Sequence, residues 1–141
     1  MNFEEKWIKG ENGIDGKNGI DEAAIIFAEN FGKRLADIQN DGRPSKAAMT
    51  TTQIRNFFGE VKRIQASGGY EGKSSDFLLI RPKLAYAEAR VLAKQGNTKV
   101  SDFRKVIELA HKCVKNNEQF QNFVDFMEAI LAYHKASGGR E

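Results

Sequence analysis

Residues 50–64 read TTTQIRNFFGEVKRI, and this stretch predicts an amphipathic α-helix. Its start is marked by a threonine that is followed three residues later by Gln53 or Ile54, an arrangement typical of helix N-caps. The glycine-rich stretch SGGYEGKSS at residues 67–75 ends the helix. The apolar residues recur at the three- and four-residue spacing of one helix face: Ile54, Phe57, Phe58, Val61 and Ile64.

Helical spacing also governs the chain on both sides of this stretch. Upstream, Asp21 is the predicted N-cap of a helix over residues 21–38. Downstream, Ser101 with Asp102 opens a helix that ends near residue 116, and a last helix covers residues 118–136. The apolar positions of the upstream helix are Ile25, Phe27, Ala28, Phe31, Leu35 and Ile38.

A proline interrupts the helical segment at residues 76–97. Ser74 or Ser75 caps this segment, the Gly-Asn pair at residues 96–97 ends it, and Pro82 either kinks the helix or starts a new one. Four alanines make the part after Pro82 slim enough for close packing, so we predict a central position for it. Its other apolar residues are Leu84, Tyr86, Val91 and Leu92.

Together these segments predict an all-α fold, a compact bundle of five to six helices with short connections. A chain of 141 residues fits one domain, residues 1–141, with an N-terminal arm and loop at 1–20 and the bundle at 21–139. The Gly/Asn-rich loop at residues 10–20 is predicted to be flexible. Because Lys17 stands where a calcium loop needs a carboxylate, we expect no calcium site there.

The charges are unevenly distributed, although the net charge is only +3. Residues 1–42 carry a net charge of −4 and residues 43–115 a net charge of +9. This distribution is typical of a polyanion-binding face or of end-to-end self-association, and the alternative is an ordinary solvated surface. No stretch reaches the roughly 18 apolar residues of a membrane span, and residues 1–10 lack the apolar core of a secretory signal. We therefore expect a cytoplasmic protein without a membrane partner.

Few residues of the usual catalytic types are available. Cys113 is the only cysteine, and His111, two residues away on a helix, points in another direction, so neither a disulfide nor a metal site is expected. His134 follows apolar residues at helical spacing and is more typical of a packed or interfacial histidine than of a general base. The sequence contains no glycine-rich phosphate-binding loop and no nucleophile motif. We predict that the protein is not an enzyme and uses no cofactor or metal.

Basic residues recur at helical spacing on three of the predicted helices. Arg55 and Lys62 are seven residues apart on the helix at 50–64, with Arg63 beside them. If such stripes converge into one groove, they would bind a phosphate backbone. The alternative interpretation is that they are the ordinary charged outer faces of soluble helices. The other two stripes consist of Lys83, Arg90 and Lys94, with Arg81 just before them, and of Arg104, His111 and Lys115.

Three stretches, in this order, resemble the small subunit of the type III-A CRISPR effector, the Csm complex. They are TTTQIRNFFGEVKRI at residues 50–64, LLIRPKLAYAEAR at 78–90 and FVDFMEAILAYHKASGG at 123–139. Each motif alone is short, but three in the family's order are fairly specific. Residues 1–49 carry no such resemblance.

The resemblance implies a helical subunit without catalytic residues that binds RNA inside a ribonucleoprotein. Its copies associate with the other subunits, self-associate into a filament or dimer, and line the duplex of guide RNA and target RNA. They contact mainly the target strand, and phosphate contacts suit a subunit that has to accept any target sequence. The RNA-binding candidates are Arg55, Lys62, Arg63, Arg81, Lys83 and Arg90.

Two functions of other classes remain open. One is a DNA-binding regulator with a helix-turn-helix, which the strongly apolar face of residues 51–64 disfavours as a recognition helix. The other is a helical protein-interaction scaffold, which would show no salt-dependent affinity for any nucleic acid.

Overall fold

The computed structural model describes residues 2–95 and 98–141, apart from the side chain of Gln95. Within these residues the structure is all-helical, which confirms the predicted fold class, and its one strand-like feature is a single bridge between Ile38 and Pro44. None of the described helices is long and apolar enough to cross a membrane. The helices are α1 (Lys6–Lys9), α2 (Glu22–Ala36), α3 (Thr51–Ala66), α4 (Ser74–Leu78), α5 (Ile80–Gln95), α6 (Val100–His111) and α7 (Asn117–Ala136).

Helix α7 lies at the centre of the fold. Helix α2 packs along most of its length, and α1, α3 and α6 contact it from other sides. Aromatic rings join α1 and α2 to α7, since the Trp7 ring lies 5.3 Å from that of Phe27 and 6.2 Å from that of Phe126. The buried apolar face of α7 consists of Phe120, Phe123, Val124, Phe126, Met127 and Ile130.

The central position predicted for the alanine-rich helix, α5, is wrong. This helix packs mainly on α6 and more narrowly on α3 and α4, and Ala87 and Ala89 are exposed. Among its described side chains only Ile80 and Leu84 are fully buried, and Tyr86 is 65% exposed. Other helices therefore cover α5 on one side only, and α5 lies at the edge of the fold.

Gly32 allows α2 and α7 to approach closely. A Cβ atom built on Gly32 would lie 2.7 Å from the backbone nitrogen of His134 and 2.8 Å from the Cβ atom of Tyr133. Both distances are shorter than non-bonded atoms tolerate. The glycine is thus required by the crossing of the two helices.

Two predicted helix starts are confirmed. Thr50 caps α3, because its hydroxyl accepts a hydrogen bond from the Gln53 N–H at 3.0 Å while the Gln53 side chain accepts one from the Thr50 N–H at 2.9 Å. Asp21 caps α2 by accepting from the N–H of Ala24 at 3.0 Å. Pro82 lies in the first turn of α5, so it starts a new helix instead of kinking one.

The end of α2 differs from the prediction. The helix stops at Ala36, because Asp37 adopts a left-handed conformation (φ 47°) and the chain then turns so that Ile38 bridges to Pro44. Ile38 therefore lies outside the helix and is 37% exposed. Ile25, also predicted to be a packing residue, is equally exposed on the outer face of α2.

The predicted serine cap of α4 is wrong, and α6 begins one residue before the predicted Ser101. Helix α4 begins at Ser74 after Lys73, and α6 begins at Val100 after Lys99, in both cases without a side-chain cap. The serines at these starts lie inside the helices instead of before them, so their hydroxyls do not occupy the capping position. The stop predicted at residues 96–97 lies outside the described residues.

Two buried histidines connect distant parts of the chain. The ring of His111 in α6 stacks on that of Phe77 in α4 at 3.9 Å, and its Nε2–H donates to the Phe77 carbonyl at 2.6 Å. The Nε2–H of His134 in α7 donates to the Met49 carbonyl at 2.7 Å, which confirms His134 as a packed residue. Burial is the main cause that lowers the pKa of both histidines, that of His111 to about 4.

The loop at residues 10–20 lies against the start of α7. The Gln119 side chain donates to one backbone carbonyl of the loop at 3.0 Å and to one of α1 at 3.1 Å, and the Asn122 side chain does the same at 2.7 and 2.9 Å. These four hydrogen bonds hold the loop and α1 on the central helix. The flexibility predicted for the loop stays a prediction.

We predict that Gly32→Ala lowers the free energy of unfolding by about 1–3 kcal/mol, because the new methyl group has to push α2 away from α7. Gly59→Ala is the matched control: Gly59 lies in α3 with no atom within 4 Å of a built Cβ, so alanine should stabilise the helix by about 0.5–1 kcal/mol. Urea unfolding followed by circular dichroism measures both changes. Equal changes in the two variants would contradict the close approach.

Acidification from about pH 7 to about pH 5 should destabilise the protein through His111. Consider a histidine whose pKa is lower in the folded protein than in the unfolded chain. Its contribution to stability is complete when the pH is above the ordinary pKa. That contribution is lost as the pH falls toward the lower pKa of the folded state. With the pKa of His111 at about 4 instead of 6.5, the loss over this interval is about 2 kcal/mol. The added proton would occupy Nδ1, a buried atom without a hydrogen-bond partner.

His111→Phe tests this assignment, because phenylalanine keeps a ring stacked on Phe77 and removes the titrating group. The free energy of unfolding of this variant, measured by urea titration at each pH, should fall less steeply on acidification. A slope equal to that of the original protein would show that His111 is not the responsible group.

Candidate functional site

An open groove of about 410 Å³ runs between α3 and α5. Helix α6 contributes to its floor through Val100 and Phe103, and the floor is apolar. The rims are polar, with amides and a carboxylate on the α3 side and cations on the α5 side. The polar lining residues are Gln53, Asn56, Glu60, Lys83, Arg90 and Lys94.

The α5 rim carries three cations on one strip of the helix. Lys83, Arg90 and Lys94 follow one another at spacings of seven and four residues, so their side chains share a face. The one acidic residue of α5, Glu88, is on another face and accepts a hydrogen bond from Arg104 at 2.7 Å. This rim of the groove is therefore positive.

Glu60 faces these cations from the α3 rim. Its carboxylate accepts hydrogen bonds from Arg63 at 3.1 Å and from Lys83 at 3.3 Å, and these bonds lower the pKa of Glu60. The three side chains are 37–53% exposed, and ion pairs at such exposure contribute less than about 1 kcal/mol. Glu60 therefore holds neither cation strongly.

Arg55 and Lys62 lie on a different face of α3. At about 100° per residue, they stand roughly 130° around the helix from the side that carries Asn56 and Glu60. Both are exposed, and Lys62 Nζ lies 5.7 Å from the centroid of the Phe58 ring. The single groove expected to unite Arg55 and Lys62 with the cations of α5 is therefore not formed. The apolar stripe of α3 faces the core, and the two polar faces of the helix lie on either side of this stripe.

Arg81 also lies away from the groove. It is half-buried and stands about 160° around α5 from Lys83. Its charge contributes to the lowered pKa of His111, after the larger effect of burial. Of the six predicted residues, the structure thus places Lys83 and Arg90 in the groove, with Arg63 bonded to the groove residue Glu60.

The third predicted basic stripe, on α6, does not form. Arg104 is held between Glu88 at 2.7 Å and Glu108 at 3.0 Å. His111 is buried, and its lowered pKa leaves it uncharged at neutral pH. Lys115 alone remains exposed.

Tyr86 lies beside the cationic strip of α5, outside the lining of the groove, and sequence reasoning missed it as a candidate. The sequence analysis counts it among the apolar residues of its helix, and it is 65% exposed on α5. The guanidinium carbon of Arg90 lies 5.8 Å from the centroid of its ring. Its spacing of three residues from Lys83 and four from Arg90 is the signal that could have identified it.

Among the described residues, charged side chains that suit binding are more prominent than groups that suit covalent chemistry. In residues 2–95 and 98–141, no group of three or more His, Cys, Asp or Glu side chains is placed to hold a metal ion. Burial raises the pKa of the Cys113 thiol to about 11, so it is protonated at neutral pH and a poor nucleophile.

Comparison with known proteins adds one finding. The family described as Csm2 Type III-A matches residues 26–140 of the chain. This range contains α3, α5 and every lining residue of the groove between them. No curated protein and no solved structure matches the chain.

Proposed function

The chain belongs to the Csm2 type III-A family, and from this premise we propose that it binds RNA and stacks in copies along the duplex of guide and target RNA. In this proposal it contacts the backbone of the target strand during antiviral defence and has no catalytic role. Family membership makes the chain a small subunit of the type III-A CRISPR complex, the Csm complex, that associates with the other subunits.

The positive charge of α3 and α5 is the observation that carries the proposal. These helices contain seven Lys or Arg residues against two Glu residues, and three of the cations share one strip beside an open groove. Positive side chains bind a phosphate backbone and release its condensed counterions, whatever the base sequence. Such contact suits a subunit that has to accept every target that the guide specifies.

We assign the first RNA-contacting face to Lys83 and Arg90, which line the groove. Arg63 joins them when a phosphate replaces Glu60 as its partner. Arg55 and Lys62 form a second face on the other side of α3, reached by a strand that crosses this helix. Arg81 stands apart from both faces and adds to the positive field of α5.

Stacking is supported by the charge distribution along the chain. Residues 1–42 are acidic, with a net charge of −4, and residues 43–115 are basic, with a net charge of +9. Attraction between the acidic part of one copy and the basic part of the next would favour one register of association.

We predict that Lys83→Ala together with Arg90→Ala weakens RNA binding and lowers the slope of log affinity against log salt concentration by about 1.4, because two phosphate contacts to a single strand are lost. Arg55→Ala together with Lys62→Ala should weaken RNA binding through the second face. Fluorescence anisotropy with labelled RNA over a series of salt concentrations measures both effects, and circular dichroism checks that the variants stay helical.

Lys105→Ala together with Lys112→Ala is the matched control. It removes the same charge, at the same seven-residue spacing, from exposed positions in and just after α6. An equal loss in all three double variants would mean that only total charge matters and that the assigned faces are wrong. If the original protein shows no salt-dependent affinity for RNA, the proposal fails and a protein-interaction scaffold becomes the better reading.

A further inference from the structure

Tyr86 is an aromatic side chain left open to solvent within a positive strip. It exposes 65% of its surface even though the guanidinium carbon of Arg90 lies 5.8 Å from its ring centroid. Lys83 stands one turn before it and Arg90 one turn after it, so cations flank the ring at both ends. The groove between α3 and α5 opens beside this strip.

We propose that Tyr86 is a stacking platform for an unpaired RNA base, while Lys83 and Arg90 hold the phosphates on either side of that nucleotide. This inference rests on the proposed RNA binding and specifies the kind of RNA that the α5 face takes. Every base has a flat π-face, so stacking on Tyr86 adds affinity without selecting a sequence. It is therefore compatible with a subunit that accepts any target.

The charges around Tyr86 favour a nucleotide over an apolar protein segment. An apolar partner that covered the ring would also remove Arg90 from water without giving its charge an anionic partner, which is costly. A nucleotide covers the ring with its base and brings a phosphate to each cation. The strip itself contains no acidic residue, and Glu60, the carboxylate that faces it from α3, is already paired with Lys83 and Arg63.

The platform distinguishes unpaired from paired RNA. In a continuous duplex both faces of every base are covered by the neighbouring bases, so Tyr86 has no base to stack on. A base that is single-stranded or displaced from the duplex exposes its face. The α5 face should therefore bind RNA with an unpaired base more tightly than a perfect duplex of the same length.

The test uses the full chain and a single-stranded RNA in which one base is replaced by the fluorescent base 2-aminopurine. Binding should quench the 2-aminopurine fluorescence of the original protein's complex. Tyr86→Leu should reduce the affinity about fivefold or more and abolish most of the quenching, because the aromatic ring is lost. Tyr86→Phe is the matched control that keeps the ring, so its affinity and quenching should match those of the original protein.

A second RNA separates stacking from charge. On an oligonucleotide of the same length whose sugars carry no bases, Tyr86→Leu and the original protein should bind equally. Equal affinity and equal quenching of Tyr86→Leu on the base-carrying RNA would overturn the platform. If the Lys83 and Arg90 double variant nevertheless loses affinity, the proposed RNA binding stands and only the platform fails, whereas no RNA affinity in the original protein overturns both.

Discussion

The close crossing of α2 and α7 is the constraint on which the rest of the structure depends. Because Gly32 has no side chain, the backbone of α2 rests on the turn of α7 that holds Tyr133 and His134. His134 is buried beside this crossing, and from there its Nε2–H reaches the carbonyl of Met49, the residue just before the N-cap of α3. A wider crossing would move His134 and weaken the link between the central helix and α3.

The positions of the cations follow from this packing. The apolar stripe of α3 faces the core, which turns Glu60 toward α5 on one side of the stripe and Arg55 and Lys62 outward on the other. Helix α5 rests mainly on α6, and its strip with Lys83 and Arg90, on another side of the helix, stays open along the groove. The core itself therefore determines which basic side chains lie side by side and which lie apart.

Local signals in the sequence were sufficient to predict most helices, because their physical causes lie within a turn or two. The capping box of Thr50, the cap of Asp21 and the restart at Pro82 all depend on neighbours within four residues. The arrangement of the site was not predictable in this way. Whether Tyr86 is covered depends on which helix lies at the centre of the fold. The burial of the aromatic face of α7 determines the central helix, and the slimness of α5 does not.

The partners of the charged residues show the same limit. The spacing of Arg104 predicts that it belongs to a basic stripe on α6. In the structure it pairs instead with Glu88 of α5, which is 16 residues away in the sequence. The grouping of Arg55 and Lys62 with Lys83 and Arg90 failed because helical spacing gives the relation of residues within one helix and not the rotation of one helix against the next. Only contacts distant in sequence contain that information.

Photocross-linking tests the central claim, that the face of α3 and α5 around the groove is directed at RNA. The assembled complex would carry a target RNA with photoreactive uridines, and mass spectrometry would identify the peptides of this subunit that become attached to it. The account predicts cross-links within α5 (Ile80–Gln95) and α3 (Thr51–Ala66). Cross-links confined to α2, α7 or the loop at residues 10–20 would contradict it.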